Sequence, residues 1–267
     1  MEATRFTALA REAWDEAAPI HWRHTQRLVT AFEDPQTSFV TATHAAELAR
    51  AGLEGAEVAQ LNCNNGRELI SMTRLGARRG VGFDISAAFV DQARRLAEAA
   101  DAPCTFEATD VYEIPARHDG RFDLVVVTSG ALCFMPDLDA YVRVATRLLK
   151  PEGRLNIYDC HPIVDMLELD RDRDRGDRPV AFVRSYFDKS PLPHRSGLDY
   201  VGGSTYDAKE IYYFHYTLED IMTAVLGAGL RLETFKETGE DPSHAYPSIE
   251  ASEIKPPLSF MLTARAA

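Results

Sequence analysis

At 267 residues, with 45% hydrophobic and 26% charged side chains, the chain suits one large domain with a buried core, which excludes disorder as its main state. Its 29 Lys and Arg against 41 Asp and Glu leave a formal charge of −12. A surface that acidic repels phosphate backbones, so no nucleic-acid partner is expected. No apolar run approaches the ~20 residues that span a bilayer, and the opening MEATRFTALAREAWDEAAPIHW lacks the basic-then-apolar pattern of a signal peptide. A cytoplasmic chain with no membrane partner is the expectation. The cysteines, Cys63, Cys104, Cys133 and Cys160, form no C-x-x-C pair and read as small buried hydrophobes of a reducing compartment.

Residues 1–55 read as helical, with Trp14, Trp22 and Phe32 available to pack over a neighbour as a lid. From residue 57 to 159, short apolar runs alternate with amphipathic stretches. Val58–Leu61 is a buried strand, followed by a helix near Arg67–Gly76. Gly80–Asp84 is the second strand, and Ser86 caps a helix running to Ala100. Cys104–Ala108 is the third strand, and Phe122–Thr128, with its Leu-Val-Val-Val run, the fourth. A helix over Leu138–Leu149 leads through Pro151-Glu152-Gly153 into a fifth strand, Arg154–Tyr158. Continuous apolar strands alternating with helices imply a mostly parallel sheet covered on both faces, a doubly wound α/β fold.

After Asp159 the pattern changes. The alternating charges of residues 170–175 suggest a solvated loop or helix end. Ala181–Asp188 and Lys209–Phe214 read as strands of an antiparallel insert joined by the segment at Gly202-Gly203. Thr217 caps a helix over Leu218–Ala228 that ends at Gly229, and strands at Leu230–Lys236 and Leu258–Ala264 close the sheet. The expected division is a lid at 1–50, a core at 51–160, a substrate-side insert at 161–215 and a closing helix and strands at 216–267.

Ligands of open α/β sheets sit outside the carboxyl ends of the strands, at the switch in strand order. There the sequence places the turn Asn62-Cys63-Asn64-Asn65-Gly66, the acid Asp84, the segment Asp110-Val111-Tyr112, and Thr128-Ser129-Gly130. An acid ending the second strand suits two ribose hydroxyls, because a carboxylate accepts from both. Nicotinamide dinucleotides want G-x-G-x-x-G for their pyrophosphate, and this turn offers only Gly66. S-adenosylmethionine (SAM) has no phosphate and tolerates side chains in that turn. On the acceptor side, His215 has the intrinsic pKa of a base near neutrality. Tyr186, Tyr206, Tyr212 and Tyr213, with Trp14 and Trp22, are the material for an aromatic wall that would favour a sulfonium charge. His21 and His24 flank Trp22 without further ligands at metal spacing, so no metal is expected.

The ordered set VGFDIS (81–86), ATDVYEIP (108–115), FDLVVVTSGALCFMPDLDAYVRVATRLLKPEGRLNIYD (122–159) and TLEDIMTAVLGAGLRLETFKE resembles the class I SAM-dependent methyltransferases over about residues 50–160 and the closing strands. The first loop departs from the family's acidic-x-Gly-x-Gly pattern. The resemblance implies a seven-stranded Rossmann-like sheet that binds SAM. Asn62, Asn64 and Gly66 would lie under methionine and ribose, Asp84 on the ribose, Ile85 against adenine, Asp110 and Val111 at the adenine edge, and Thr128 or Ser129 at the amino-acid end. His215, Tyr186 and Tyr213 are the candidate catalytic side chains. In-line methyl transfer to a small molecule, of secondary metabolism, is the leading expectation. Two alternatives stand beside it. In one, resembling the azetidine-2-carboxylate synthases, the α-amine of SAM closes on its own γ-carbon and releases methylthioadenosine; neutral Asn side chains in the first loop suit that amine. The other is a SAM-binding protein without catalysis. The N-terminal helices and the insert are the surfaces through which a homodimer would form.

Overall fold

The computed structural model describes residues 2–167 and 181–267, so the charged run at 170–175 lies outside the described residues. Strands β1 (Glu57–Leu61), β2 (Arg79–Asp84), β3 (Cys104–Ala108), β4 (Phe122–Val127), β5 (Leu149–Cys160), β8 (Arg231–Thr238) and β9 (Ser259–Arg265) form one sheet in the order β3-β2-β1-β4-β5-β9-β8. The first five run parallel, and β9 is antiparallel to both β5 and β8. The strand order reverses between β1 and β4, as doubly wound sheets require for a ligand crevice.

Period-two alternation sends side chains to both faces, and both are covered. Val125 and Val127 of β4 pack with Tyr141, Val142 and Leu148 of α6 (Leu138–Leu148) and with Ile221 and Val225 of α7 (Leu218–Gly227). Leu124 and Val126 pack on the other face with α3 (Ala42–Arg50), α4 (Arg67–Arg74) and α5 (Ala87–Ala99). Each such fully buried valine contributes about 1.5–3 kcal/mol of transfer free energy, which is why the β4 run is so apolar. The expected caps are present: Ser86 accepts from Phe89 N, and Thr217 makes a reciprocal box with Asp220.

The N-terminal region is helical as expected, in α1 (Glu2–Thr25), the short α2 (Leu28–Ala31) and α3. Small residues at Ala10, Ala13 and Ala17 form one buried stripe of α1, which lets that helix lie close to the insert at Leu198 and Ile211. Pro151-Glu152-Gly153 is a bulge inside a longer β5 rather than a turn before it, with the β4 register slipping between Phe122 and Leu124.

The insert corrects the sequence reading. Ala181–Asp188 forms no strand; it makes a single bridge, Phe182 to Leu167, and then turns, with Asp188 N donating to Ser185 O at 3.1 Å. The Arg184 guanidinium donates to the Asp188 and Ser190 carbonyls and curls the segment, and Phe182, Val183 and Phe187 stay exposed. The strand that pairs with β7 (Ile211–Tyr213) is β6 (Leu192–His194), which carries Pro193 and is therefore confined to a two-stranded ribbon. A last short helix, α8 (Pro247–Glu250), precedes β9.

Candidate functional site

The turn after β1 keeps its shape through three left-handed residues: Asn62 (φ 53°), Asn64 (φ 50°) and Gly66 (φ 73°). Asparagine is the non-glycine residue that enters this region most readily, because its short amide bonds locally. Asn64 does so, accepting from Asn65 N at 2.8 Å, and Asn62 Oδ1 accepts from the buried Tyr141 hydroxyl at 2.8 Å. Gly66 has no such freedom, since a Cβ there would meet the Phe106 ring at 2.5 Å. Asn62 and Asn64 thus stand where an acidic-x-Gly-x-Gly loop has its glycines. The residue in the acidic position is Gln60, not an asparagine of the turn.

Gln60 is 1% exposed and lies on β1 at the strand switch. Its Nε2 donates to Thr128 Oγ1 at 3.0 Å, across to the residue that follows β4, while its Oε1 has no partner in the protein. A polar residue inside the otherwise apolar run Val58–Leu61 was the signal for it in the sequence.

Asp84 is buried at the carboxyl end of β2. Its carboxylate oxygens accept from Asn64 N at 2.7 Å and Ser86 N at 2.9 Å, which fixes the carboxylate at the mouth of the turn. Burial pushes its pKa up to about 6 against the pull of those bonds, with Asp15 of α1 adding to the rise. The Ser86 hydroxyl donates to Asp15 at 2.6 Å, which ties α1 to the start of α5. Asp110 turns back to accept from Tyr112 N at 3.0 Å, Val111 is buried beneath it, and Ile85 is half-buried beyond Asp84. The Thr109 amide, donating to Asp84 O at 2.8 Å, draws the ends of β2 and β3 together. Ser129 Oγ lies 3.5 Å from Cys160 Sγ.

A second buried acid was missed by sequence reasoning. Asp159, near the end of β5, accepts from Gly130 N (2.7 Å), Leu132 N (3.0 Å) and Cys160 N (2.8 Å), and so fixes the loop that follows β4. Its pKa also rises to about 6 through burial. An acid ending a buried strand, as at Asp84, was its only trace in the sequence.

The expected cofactor residues Asn62, Asn64, Gly66, Asp84, Ile85, Asp110, Val111, Thr128 and Ser129 therefore gather at one edge of the sheet. Trp14 roofs that edge: its ring lies 5.8 Å from Phe89, beyond β2, and 5.1 Å from Phe134, beyond β4, and β1 runs between. Tyr200 stands 6.3 Å from the same ring, and Tyr213 lies 5.0 Å from Phe134. Trp22 faces away, under Arg95, and Tyr206 spends its hydroxyl on Leu198 N, so neither joins this roof.

Of the three candidate catalytic side chains, His215 and Tyr186 meet with ring centroids 5.5 Å apart, whereas Tyr213 packs on Phe134 and His194. Buried His215 has both ring nitrogens engaged, Nδ1 with Asp165 Oδ2 and Nε2 with the Tyr186 carbonyl, each at 2.7 Å. Two acceptors around one ring favour the imidazolium, and the bond to Asp165 raises its pKa. With both ring nitrogens committed, His215 has no free lone pair with which to act as a base. The Tyr186 hydroxyl accepts from Leu218 N at 3.0 Å and closes the start of α7. His215 instead borders a cleft of about 610 Å³ with Phe6, Asp137, Tyr216 and Asp220, which the Asn62–Gly66 turn and Asp84 do not line. His21 bonds the Leu198 carbonyl at 2.7 Å, and no His, Cys, Asp or Glu group among the described residues is arranged to hold a metal.

Residues 58–153 match the family model of a methyltransferase domain. A ubiquinone biosynthesis O-methyltransferase from Xanthomonas oryzae pv. oryzae is 30% identical over 154 residues, 58% of each chain, so the similarity spans well under two thirds of that relative's length. Among solved structures, an S-adenosylmethionine-dependent methyltransferase from Mesorhizobium loti is similar with a TM-score of 0.59 and 23% identity, covering 80% of this chain and 92% of the other. The geranyl diphosphate C-methyltransferase of Streptomyces coelicolor has a TM-score of 0.55 and 13% identity, covering 85% and 79%. The sheet that contains residues 58–153 has the fold of the solved S-adenosylmethionine-dependent methyltransferases.

Proposed function

We propose that the protein is a methyltransferase that binds SAM along the carboxyl ends of β2, β1 and β4 and methylates a small molecule. The observation that carries this reading is Asp84, a buried carboxylate held by backbone N–H groups at the end of β2, beside a turn that lacks the glycines of a pyrophosphate site. Bound SAM would supply a sulfonium-activated methyl group for in-line displacement. The chain's part is to hold the ribose hydroxyls at Asp84, flank adenine with Ile85 and Val111, place Asp110 at the adenine edge, and offer Thr128 and Ser129 to the amino-acid end. Trp14, Phe134 and Tyr213 keep water from the reacting edge and face a positive charge with ring density. His215 and Tyr186 hold the insert against α7 and take no proton. The enclosed aromatic lining suits a small acceptor, as does the similarity to O-methyltransferases of ubiquinone biosynthesis.

A second reading draws on the neutral amide of Gln60 in the acidic position of the loop. A site without that carboxylate stabilises the ammonium form of the α-amine less than the usual loop does, so the neutral amine is easier to reach. The neutral nitrogen's lone pair would then displace sulfur from the γ-carbon, giving azetidine-2-carboxylate, methylthioadenosine and a proton released to water. Purified protein is incubated with SAM alone and with a panel of small phenols, amines and carboxylic acids, and products are read by mass spectrometry. S-adenosylhomocysteine formed only with an acceptor supports methyl transfer, and methylthioadenosine with azetidine-2-carboxylate formed from SAM alone supports cyclisation. Saturable binding of SAM with neither product would leave a SAM-binding protein without catalysis.

A further inference from the structure

Arg67 opens α4 directly after the Asn62–Gly66 turn, and its guanidinium is only partly used. Nε donates to Glu68 Oε1 at 2.8 Å, the guanidinium carbon lies 5.8 Å from the centre of the Phe39 ring, and the side chain is 36% exposed. Among the described residues, neither of its Nη groups makes a hydrogen bond or an ion pair. Three segments of the cover meet around this open fork. Phe39, between α2 and α3, is tied to α4 by its amide, which donates to Ser71 Oγ at 2.9 Å. Tyr200 of the insert stands edge-on to His21 of α1 at 4.6 Å and to Trp14 at 6.3 Å. Burial lowers the His21 pKa, and Arg67 adds to the fall. Tyr200 is 43% exposed, yet the protein crowded around it pushes its phenol up to about 12, with Arg67 pulling the value back. A side chain both wetted and crowded lines a recess rather than an outer surface. With that pKa the phenol keeps its proton to donate, and among the described residues its hydroxyl makes no hydrogen bond.

Resting on the methyl-transfer reading, we infer that Arg67 and Tyr200 select a methyl acceptor that carries a carboxylate, the guanidinium fork holding it through its Nη groups and the phenol donating beside it. A planar fork matches a carboxylate in both shape and charge. The Trp14, Phe39 and Tyr200 rings supply flat apolar walls, so the acceptor is a small carboxylic acid with an aromatic body. One negative charge fits better than two. Glu68 already offsets part of the Arg67 charge, and Asp84 adds to the negative potential felt at Tyr200, which disfavours a phosphate dianion. The cofactor's own carboxylate belongs elsewhere on this reading, with Thr128 and Ser129 after β4, whereas the Arg67 fork opens among the cover segments.

The test titrates benzoate, 4-hydroxybenzoate, phenylacetate and indole-3-acetate, each beside its primary amide, into protein saturated with S-adenosylhomocysteine, and reads binding by calorimetry. Acid and amide have nearly the same shape and differ in charge. At least one acid should bind one-to-one and about tenfold or more tightly than its amide, the value of a hydrogen bond to a charged group. Arg67→Met should erase that preference and leave S-adenosylhomocysteine binding within about twofold. Arg67→Lys, which keeps the charge without the fork, should retain a smaller preference than the unaltered protein. A set in which no acid outbinds its amide would overturn the inference without any variant, and so would an Arg67→Met variant that keeps the preference. An Arg67→Met variant that binds S-adenosylhomocysteine about tenfold more weakly but methylthioadenosine unchanged would also overturn it, by placing the fork on the cofactor's own carboxylate. If the unaltered protein binds S-adenosylhomocysteine but none of the acids, only the role of Arg67 and Tyr200 fails; if it binds no S-adenosylhomocysteine, the SAM reading fails with it.

Discussion

Asn62, Asn64 and Gly66 show how one backbone path accepts different residues for different reasons. The asparagines take positive φ with their amides engaged, Asn64 by the next backbone N–H and Asn62 by the distant Tyr141 hydroxyl, whereas Gly66 is there because the Phe106 ring and Ala93 leave no room for a side chain. Gly66→Ala combines a left-handed alanine with overpacking and should cost about 3 kcal/mol in chemical denaturation. At Asp84 the chemistry is that of an ionised acceptor. Asp84→Asn should weaken S-adenosylhomocysteine binding by about ten- to a hundredfold, the value of one hydrogen bond to a charged group. The pH dependence has a definite sign. With its pKa near 6, Asp84 loses its charge as pH falls through that value, so affinity should hold above about pH 7 and decline below pH 6. Calorimetry between pH 5 and 8 checks it; an affinity flat across that range would argue against a carboxylate contact.

The helices and strands of the core were legible because their signals are local and mutually consistent. Alternation in β4, caps at Ser86 and Thr217, and the acid ending β2 all point to the same layered sheet. The insert was not legible, because its partners come from far along the chain. The alternating pattern at 181–188 reads as a strand, yet Arg184 curls it and β6, with a proline inside it, takes its place beside β7. His215 shows the same limit: its residue type suggests a base, but Asp165, 50 positions away, decides its state. Since the folded pKa is raised above the ordinary value of about 6.5, the stability that His215 adds is fully present below that pH and is lost as pH rises through the folded value. His215→Phe should therefore lower the melting temperature more at pH 6 than at pH 9, with a loss of about 1–3 kcal/mol at the lower pH. An equal shift at both would remove the ion pair from the explanation. For α1, the placement of Trp14 predicts that cofactor binding changes its fluorescence. The change should vanish in Trp14→Phe and persist in Trp22→Phe, because Trp14 contacts Phe89 and Phe134 whereas Trp22 lies under Arg95.

Over the whole molecule, the mostly parallel sheet supplies the crevice, helices α3–α7 cover its two faces, and α1 with part of the insert lies over the strand ends. α1 is anchored above the carboxyl ends of the central strands by Asp15 to Ser86, by Gln92 to the Ala18 carbonyl at 2.8 Å, and by His21 to Leu198 of the insert. No helix among the described residues is long and apolar enough to cross a membrane. The crevice residues were nameable from sequence because they sit at strand ends, whereas Gln60 and Asp159 were not, since their importance lies in what they touch across β4. Titration of S-adenosylhomocysteine into the unaltered protein and into Asp84→Ala tests the SAM site directly. One-to-one, saturable binding that weakens at least tenfold in the variant is the expected result. An unaltered protein that binds no S-adenosylhomocysteine, or an Asp84→Ala variant that binds it equally well, would contradict a SAM site at this edge of the sheet.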